Sequence, residues 1–279
     1  MPINPRPKRP EISRSVVTGD FRTNYHDVGK GSPVVMLHGS GPGVSAWANW
    51  NKTFPLLSDD FRLLAPDMAG FGYTQRVPDA VYNMDKWLQQ VVDFFDVLKI
   101  EKAHLIGNSF GGALAIAMAV NHPERVDKLV LMGSMGVDFP ITDGLDKVWG
   151  YEPSLDNMRE LLDIFTYDHS FATPELVESR YQGSMQPGFQ ESFSSMFPKP
   201  RQAMVEAMAA YEADIPNIEH DTLIVHGLQD RVIPASNSHK LLELIPNAQL
   251  HVFGKCGHWT QIERTDEFCD VVRAFLTHP

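Results

Sequence analysis

The sequence predicts a doubly wound α/β fold: a mostly parallel sheet with helices on both faces and a helical cap inserted in it. Three observations carry that reading. Short apolar runs recur at 33–37, 63–66, 103–107, 128–132, 222–226 and 249–253, several without alternation, as strands buried on both faces require. Helical patterns lie between these runs, and alternation of the two element types gives a parallel sheet. The rhythm then breaks between about 136 and 217, where no strand signal occurs.

Each element has its own warrant. The segment 85–98 carries apolar residues at 88, 91, 92, 95 and 98, a stripe of helical period. Segment 113–120 is small and apolar, suited to a helix packed closely on a sheet. Segment 265–276 opens on Thr265 and two acids, then places Phe268, Val271, Val272 and Phe275 on one face. Inside the interruption, 154–165, 173–182 and 201–213 read as helices, the second with a Thr173 cap and Pro174 at its first position. The stretch 186–200 reads as a loop rich in Gly, Pro, Ser and Phe. The expected division is a proline-rich arm at 1–10, a core at 11–135 and 218–279, and a cap at 136–217. That cap would cover the C-terminal edge of the sheet, where open α/β sheets bind ligands.

Composition narrows the function. The 279 residues carry a net charge of −11, which argues against a nucleic-acid surface but not against a small anion held by one buried arginine. Two cysteines, Cys256 and Cys269, are too few for a disulfide framework. The first ten residues lack the apolar stretch of a secretory signal, and no apolar run approaches the ~20 residues of a membrane span. A cytoplasmic protein is expected. Asn51-Lys52-Thr53 is a glycosylation sequon in form only.

The chemistry centres on Gly107-Asn108-Ser109-Phe110-Gly111, which matches G-x-S-x-G between a strand and a helix. The glycines permit a tight turn that exposes a serine hydroxyl at the sheet edge. A serine hydroxyl is a poor nucleophile without a base, and on such a fold the order is Ser, acid, His. Asp230 follows the strand at 222–226, and His258 follows the strand at 249–253 beside Gly257. Ser109 is thus the candidate nucleophile, His258 its base, and Asp230 the acid that orients the imidazole. The glycine-rich turn His38-Gly39-Ser40-Gly41-Pro42-Gly43 follows the first parallel strand, so the backbone N–H groups of Ser40 and Phe110 are candidates for an oxyanion hole. The same glycines loosely fit a dinucleotide pattern with Asp67 as the ribose acid. Pro42 removes an N–H that a phosphate would need, and the triad would go unexplained. Asn49, Asn108, Arg180 and Trp259 are the polar residues expected at this edge; Arg180 could hold a carboxylate bidentately.

These residues resemble a known family. His38-Gly-Ser-Gly-Pro-Gly-Val-Ser-Ala-Trp-Ala-Asn-Trp50, Gly107-Asn-Ser-Phe-Gly-Gly112, Arg180-Tyr181, the segment Gln186–Phe197 and Cys256-Gly-His-Trp-Thr-Gln-Ile-Glu263 are similar to the meta-cleavage product hydrolases, carbon–carbon bond hydrolases of the α/β-hydrolase superfamily. The similarity runs from about residue 11 to the C-terminus, and is greatest to the 2-hydroxymuconic semialdehyde and monoalkylbenzene branch. It implies cleavage of the C5–C6 bond of a 2-hydroxy-6-oxohexa-2,4-dienoate, giving 2-hydroxypenta-2,4-dienoate and a small carboxylic acid. It also implies a homo-oligomer and neither metal nor organic cofactor. On that reading Arg180, Asn108, Trp259 and Asn49 take the dienoate end. Met135, Leu145, Trp149, Val205, Val232 and Ile233 are candidates to line the pocket for the C6 group. Attack by Ser109 and direct attack by water both remain open, as does the C6 substituent. A carboxylesterase or perhydrolase with the same triad is the alternative; an aspartate-nucleophile enzyme is excluded by Ser109, and a non-catalytic relative would be expected to lack part of the triad.

Overall fold

An eight-stranded sheet in the order β1-β2-β4-β3-β5-β6-β7-β8 forms the centre of the computed structural model, which describes residues 9–278. The strands are β1 (Arg14–Thr18), β2 (Phe21–Gly29), β3 (Ser32–Leu37), β4 (Phe61–Pro66), β5 (Ala103–Asn108), β6 (Val126–Met132), β7 (Thr222–Gly227) and β8 (Ala248–Phe253). The β1–β2 and β2–β4 pairs are antiparallel and the other pairings are parallel. All six residues of β5 and of β7 are buried, which explains why those runs lack alternation. The chain order reverses around β3, so the ends of β3 and β5 meet at the switch point that α/β sheets use for ligands.

Helices α1 (Ala46–Trp50), α2 (Phe54–Leu57), α3 (Met84–Val97) and α4 (Phe110–Asn121) follow in turn, and the sheet divides the apolar interior into two clusters. Helix α3 begins where Asn83 accepts the N–H of Lys86, an N-cap that satisfies one of the helix's free donors. Helix α4 is buried from Phe110 through Ala119. It lies so close to the sheet that a Cβ on Gly111 would stand 2.2 Å from the Leu37 carbonyl oxygen, and one on Gly107 2.4 Å from that of Gly111. Only glycine allows that approach.

Between β6 and β7 the chain forms α5 (Asp143–Trp149), α6 (Leu155–Phe165), α7 (Pro174–Ser184), α8 (Phe189–Met196) and α9 (Gln202–Met208), before α10 (Ala235–Leu244), α11 (Thr260–Glu263) and α12 (Thr265–Thr277) complete the core. Thr142, Ser154 and Thr173 cap the first three of these cap helices. The expected loop at 186–200 contains α8, which starts at Gly188 in the left-handed conformation and buries Phe189, Phe193 and Met196 on one face. Its apolar spacing of four and three residues is helical, and the surrounding Gly, Ser and Pro masked it. The segment 201–213 is helical only to Met208, followed by a 3₁₀ turn at Glu212–Asn217. The β1–β2 hairpin had no counterpart among the expected strands. All but the last two residues of the 1–10 arm lie outside the described residues. No helix among the described residues is long and apolar enough to cross a membrane.

Candidate active site

Ser109 lies between the end of β5 and the start of α4 with φ 53° and ψ −112°, a backbone strain of order 1–3 kcal/mol for a residue with a side chain. The surroundings hold it there. Its N–H donates to the Met132 carbonyl at 2.9 Å, and its carbonyl accepts from Gly112 at 2.9 Å and Met135 at 3.1 Å.

Asp230 sits in the loop after β7, its carboxylate almost wholly enclosed. Oδ1 accepts the N–H groups of Val232 at 2.7 Å and Ile233 at 2.9 Å, and Oδ2 lies 2.7 Å from His258 Nδ1. Burial pushes this carboxyl's pKa up; the charge and hydrogen bond of His258, together with His226 and the Ile233 N–H, outweigh it and hold the group below the usual range. An ionised Asp230 requires hydrogen on Nδ1 of His258, which leaves Nε2 of a neutral ring with a free lone pair able to accept a proton. The imidazole packs on Phe165 at the end of α6, ring centroids 6.0 Å apart, and the Trp259 N–H donates to the Phe165 carbonyl at 3.1 Å. Helix α6 is therefore tied directly to the loop that carries His258.

Ser109 and His258 line one cavity together with the glycine turn from Gly39 to Pro42. His38 secures that turn: its Nδ1 donates to the Gly39 carbonyl at 2.7 Å and its Nε2 accepts the Met68 N–H at 2.9 Å. Burial draws its pKa down to about 4, so the ring is neutral, as this one-donor, one-acceptor arrangement needs. Ser40 lines the cavity and its hydroxyl accepts from Trp149 Nε1 at 3.0 Å. Phe110 follows Ser109 at the head of α4, its ring edge-on to Trp87 at 4.7 Å.

The remaining cavity wall combines polar and apolar side chains. Asn49, Asn108, Arg180 and Trp259 all contribute to it. Arg180, on α7, donates to the Ala48 carbonyl at 2.8 Å and lies 5.2 Å from the centre of the Trp259 ring. Burial lowers its pKa to about 10, Glu11 partly opposing; it stays charged at neutral pH. No acidic side chain forms an ion pair with it among the described residues. Asn49 Oδ1 accepts from the Gly39 N–H at 3.4 Å, while its Nδ2 is buried without a hydrogen-bond partner. Gln261, which sequence reasoning missed, also lines the cavity with Oε1 unpartnered. Its only sequence signal was its place three residues after His258, on the first turn of α11.

The apolar part of the lining includes Leu145, Val148, Met158, Leu162, Phe165 and Val232. Of the six residues expected there, Leu145 and Val232 line the cavity. Met135, Trp149, Val205 and Ile233 are buried but stand outside its wall. Trp149 stacks on Phe197 at 4.6 Å and donates to Ser40; the other three are packed in the same apolar cluster. Val148, Met158, Leu162 and Phe165 take their place because the packing of α5 and α6 over the sheet, not apolarity alone, selects the wall. Both cysteine thiols are buried, and burial pushes each pKa up to about 12. That makes them inert as nucleophiles. No cluster of three metal-ligating side chains occurs among the described residues.

Residues 32–265 match the alpha/beta hydrolase fold family. The chain is 54% identical over 274 residues to 2-hydroxymuconate semialdehyde hydrolase of Pseudomonas sp. (strain CF600), covering 98% of this chain and 97% of that one. It is 54% identical over 266 residues to 2-hydroxy-6-oxo-2,4-heptadienoate hydrolase of Pseudomonas putida, covering 95% and 96%. Among solved structures, a meta-cleavage product hydrolase from Pseudomonas fluorescens IP01 superposes with a TM-score of 0.94 at 56% identity, over 95% of this chain and 98% of that one. The 2-hydroxy-6-oxo-6-phenylhexa-2,4-dienoate hydrolase of Rhodococcus sp. strain RHA1 gives 0.86 at 31% identity, over 95% and 98%.

Proposed function

The chain belongs to the α/β-hydrolase family, to its branch of meta-cleavage product hydrolases, and we propose that it cleaves the C5–C6 bond of 2-hydroxy-6-oxohexa-2,4-dienoates with Ser109, His258 and Asp230. The observation that carries the reading is the polarity of the cavity. A charged Arg180, in no ion pair among the described residues, and apolar side chains of α5 and α6 line the same cavity. A dienoate with a small C6 group needs both: a cation for the C1 carboxylate and apolar surface for the carbon at its far end.

The chemistry demands more than an ester hydrolase supplies, because the leaving group is a carbanion. Transfer of the 2-hydroxyl proton to C5 solves this. It makes C2 a ketone conjugated through C3=C4, and that ketone accepts the electron pair when C5–C6 breaks. His258 Nε2 is suited to move that proton. Arg180 binds the C1 carboxylate, with Asn49, Asn108 and Trp259 around the 2-oxygen. Ser40 and Phe110 N–H groups take the negative charge that develops on the C6 oxygen. Ser109 adds to C6, or holds the water that does; the products in either case are 2-hydroxypenta-2,4-dienoate and a carboxylic acid.

The test follows the yellow dienolate absorbance of ring-fission products with hydrogen, methyl, isopropyl and phenyl at C6. Ser109→Ala and His258→Ala should each abolish its loss at enzyme levels where the wild type consumes it within minutes. A wild-type rate in Ser109→Ala refutes the assignment.

A further inference from the structure

Asp230 has a second imidazole beside it that the chemistry above does not use. His226, next to last in β7, is fully buried, and its Nε2 stands 3.4 Å from Asp230 Oδ2, the oxygen that His258 Nδ1 meets at 2.7 Å. The same Nε2 is 3.1 Å from the Ile233 carbonyl, and Nδ1 is 2.7 Å from the Ser238 hydroxyl at the start of α10.

These contacts determine the state of the ring. A carbonyl and a carboxylate, both acceptors, face Nε2, so that nitrogen carries the hydrogen. Burial lowers the ring's pKa, with His258 and His239 acting the same way and Asp230 and the Ile233 carbonyl opposing. A neutral ring leaves Nδ1 to accept from Ser238. The Nε2–H is directed at the Ile233 carbonyl, and the Ile233 N–H in turn donates to Asp230 Oδ1 at 2.9 Å. One ring thus joins β7, the acid loop and α10.

We infer that His226, locked by Ser238 as the neutral Nε2–H tautomer, is a positioning residue that fixes the Asp230 loop and, through it, the imidazole of His258. The inference rests on the reading of Asp230 as the partner of His258. Neutrality has a purpose in this geometry. When His258 becomes positively charged during the proton transfer, its countercharge is Asp230 Oδ2. A second imidazolium at 3.4 Å would compete for that oxygen; a neutral N–H edge steadies the loop without doing so.

The experiment compares His226→Phe, His226→Gln, Ser238→Ala and Asp230→Asn in the full-length enzyme, together with the His226→Phe/Asp230→Asn double variant. Because a small displacement of catalytic groups is costly, His226→Phe should lower kcat about tenfold or more on a dienoate with KM changed less than about twofold. The acid-limb pKa of kcat/KM should fall, because a loosened Asp230 stabilises the His258 imidazolium less. The low-field proton resonance of the His258–Asp230 bond should weaken. His226→Gln, which can keep an N–H near the Nε2 position, should recover most of the loss, and Ser238→Ala should show the same pH shift in smaller degree. Added to Asp230→Asn, the Phe substitution should cost little more, since both act through one carboxylate. An unshifted pH profile in His226→Phe and Ser238→Ala, or a fully additive double variant, overturns the inference. Wild-type turnover in Asp230→Asn instead overturns the triad reading beneath it. If His226→Phe does not fold, the Gln and Ala variants carry the same comparison.

Discussion

A guanidinium that donates to a carbonyl, lies over an indole and forms no ion pair among the described residues has capacity left for a ligand anion. A hydrogen bond to a charged group contributes ~1.5–3 kcal/mol, so Arg180→Ala should lower kcat/KM on a dienoate by about 10- to 100-fold while p-nitrophenyl acetate hydrolysis changes less than about threefold. Equal loss on both substrates would place Arg180 in the scaffold instead. Arg180→Lys should restore only part of the loss, since a point charge cannot reproduce a planar fork over Trp259. At this scale the sequence was informative where a role depends on local context. Ser109 announces itself by flanking glycines, Asp230 and His258 by their places just after strands. Gln261 and His226 gave no such sign, because what distinguishes them is a neighbour far along the chain: Gln261 Nε2 donates to the Asn49 carbonyl, 212 residues away.

Among the elements, α6 brings three apolar side chains, Met158, Leu162 and Phe165, to the cavity wall. Removing methylenes from such a wall is worth ~1–3 kcal/mol, so Leu162→Ala should shift the ratio of kcat/KM for C6-phenyl over C6-methyl dienoates upward by about tenfold. An unchanged ratio would mean that the C6 group lies elsewhere. Helix α3 offers a test of stability without chemistry. Asn83→Ala removes the cap on the Lys86 N–H and should cost about 1 kcal/mol, read as a lower urea midpoint at unchanged slope and unchanged turnover. Elements whose period is unbroken, such as α3, α12 and the buried strands, were legible. The α8 helix was not, because one apolar face within a Gly, Ser and Pro-rich stretch is decided by what it packs on.

For the whole molecule, two buried groups set opposing pH dependences. Burial draws His38 down to about 4 from 6.5 and pushes Asp67 up to about 6 from 3.8, against the Tyr73 and Ala46 N–H groups, Asn24 and Arg76. As pH falls from about 6.5 toward 4, the unfolded chain protonates a histidine that the folded state keeps neutral, and stability is lost, up to about 3 kcal/mol. Asp67 acts in the other sense: between about 6 and 4 the folded carboxyl takes up its proton before the unfolded one, and stability rises by about as much. In the wild type the two nearly cancel. Asp67→Asn should therefore steepen the loss of stability between pH 7 and 4.5, measured as the difference in urea midpoint at the two values. Parallel losses in both proteins would rule out this balance.

The six apolar strand runs, helix periodicity, the G-x-S-x-G turn and the post-strand places of Asp230 and His258 are properties of short windows, and the sequence alone determined them because hydrophobic period and turn chemistry act over a few residues. The cavity wall, the unpaired state of Arg180 and the second imidazole beside Asp230 were decided by the tertiary structure alone. Which side chain faces an opening, and which polar atom is left without a partner, depends on how the cap packs across the sheet. That packing is a sum over contacts between residues distant in the chain, and no local pattern encodes it.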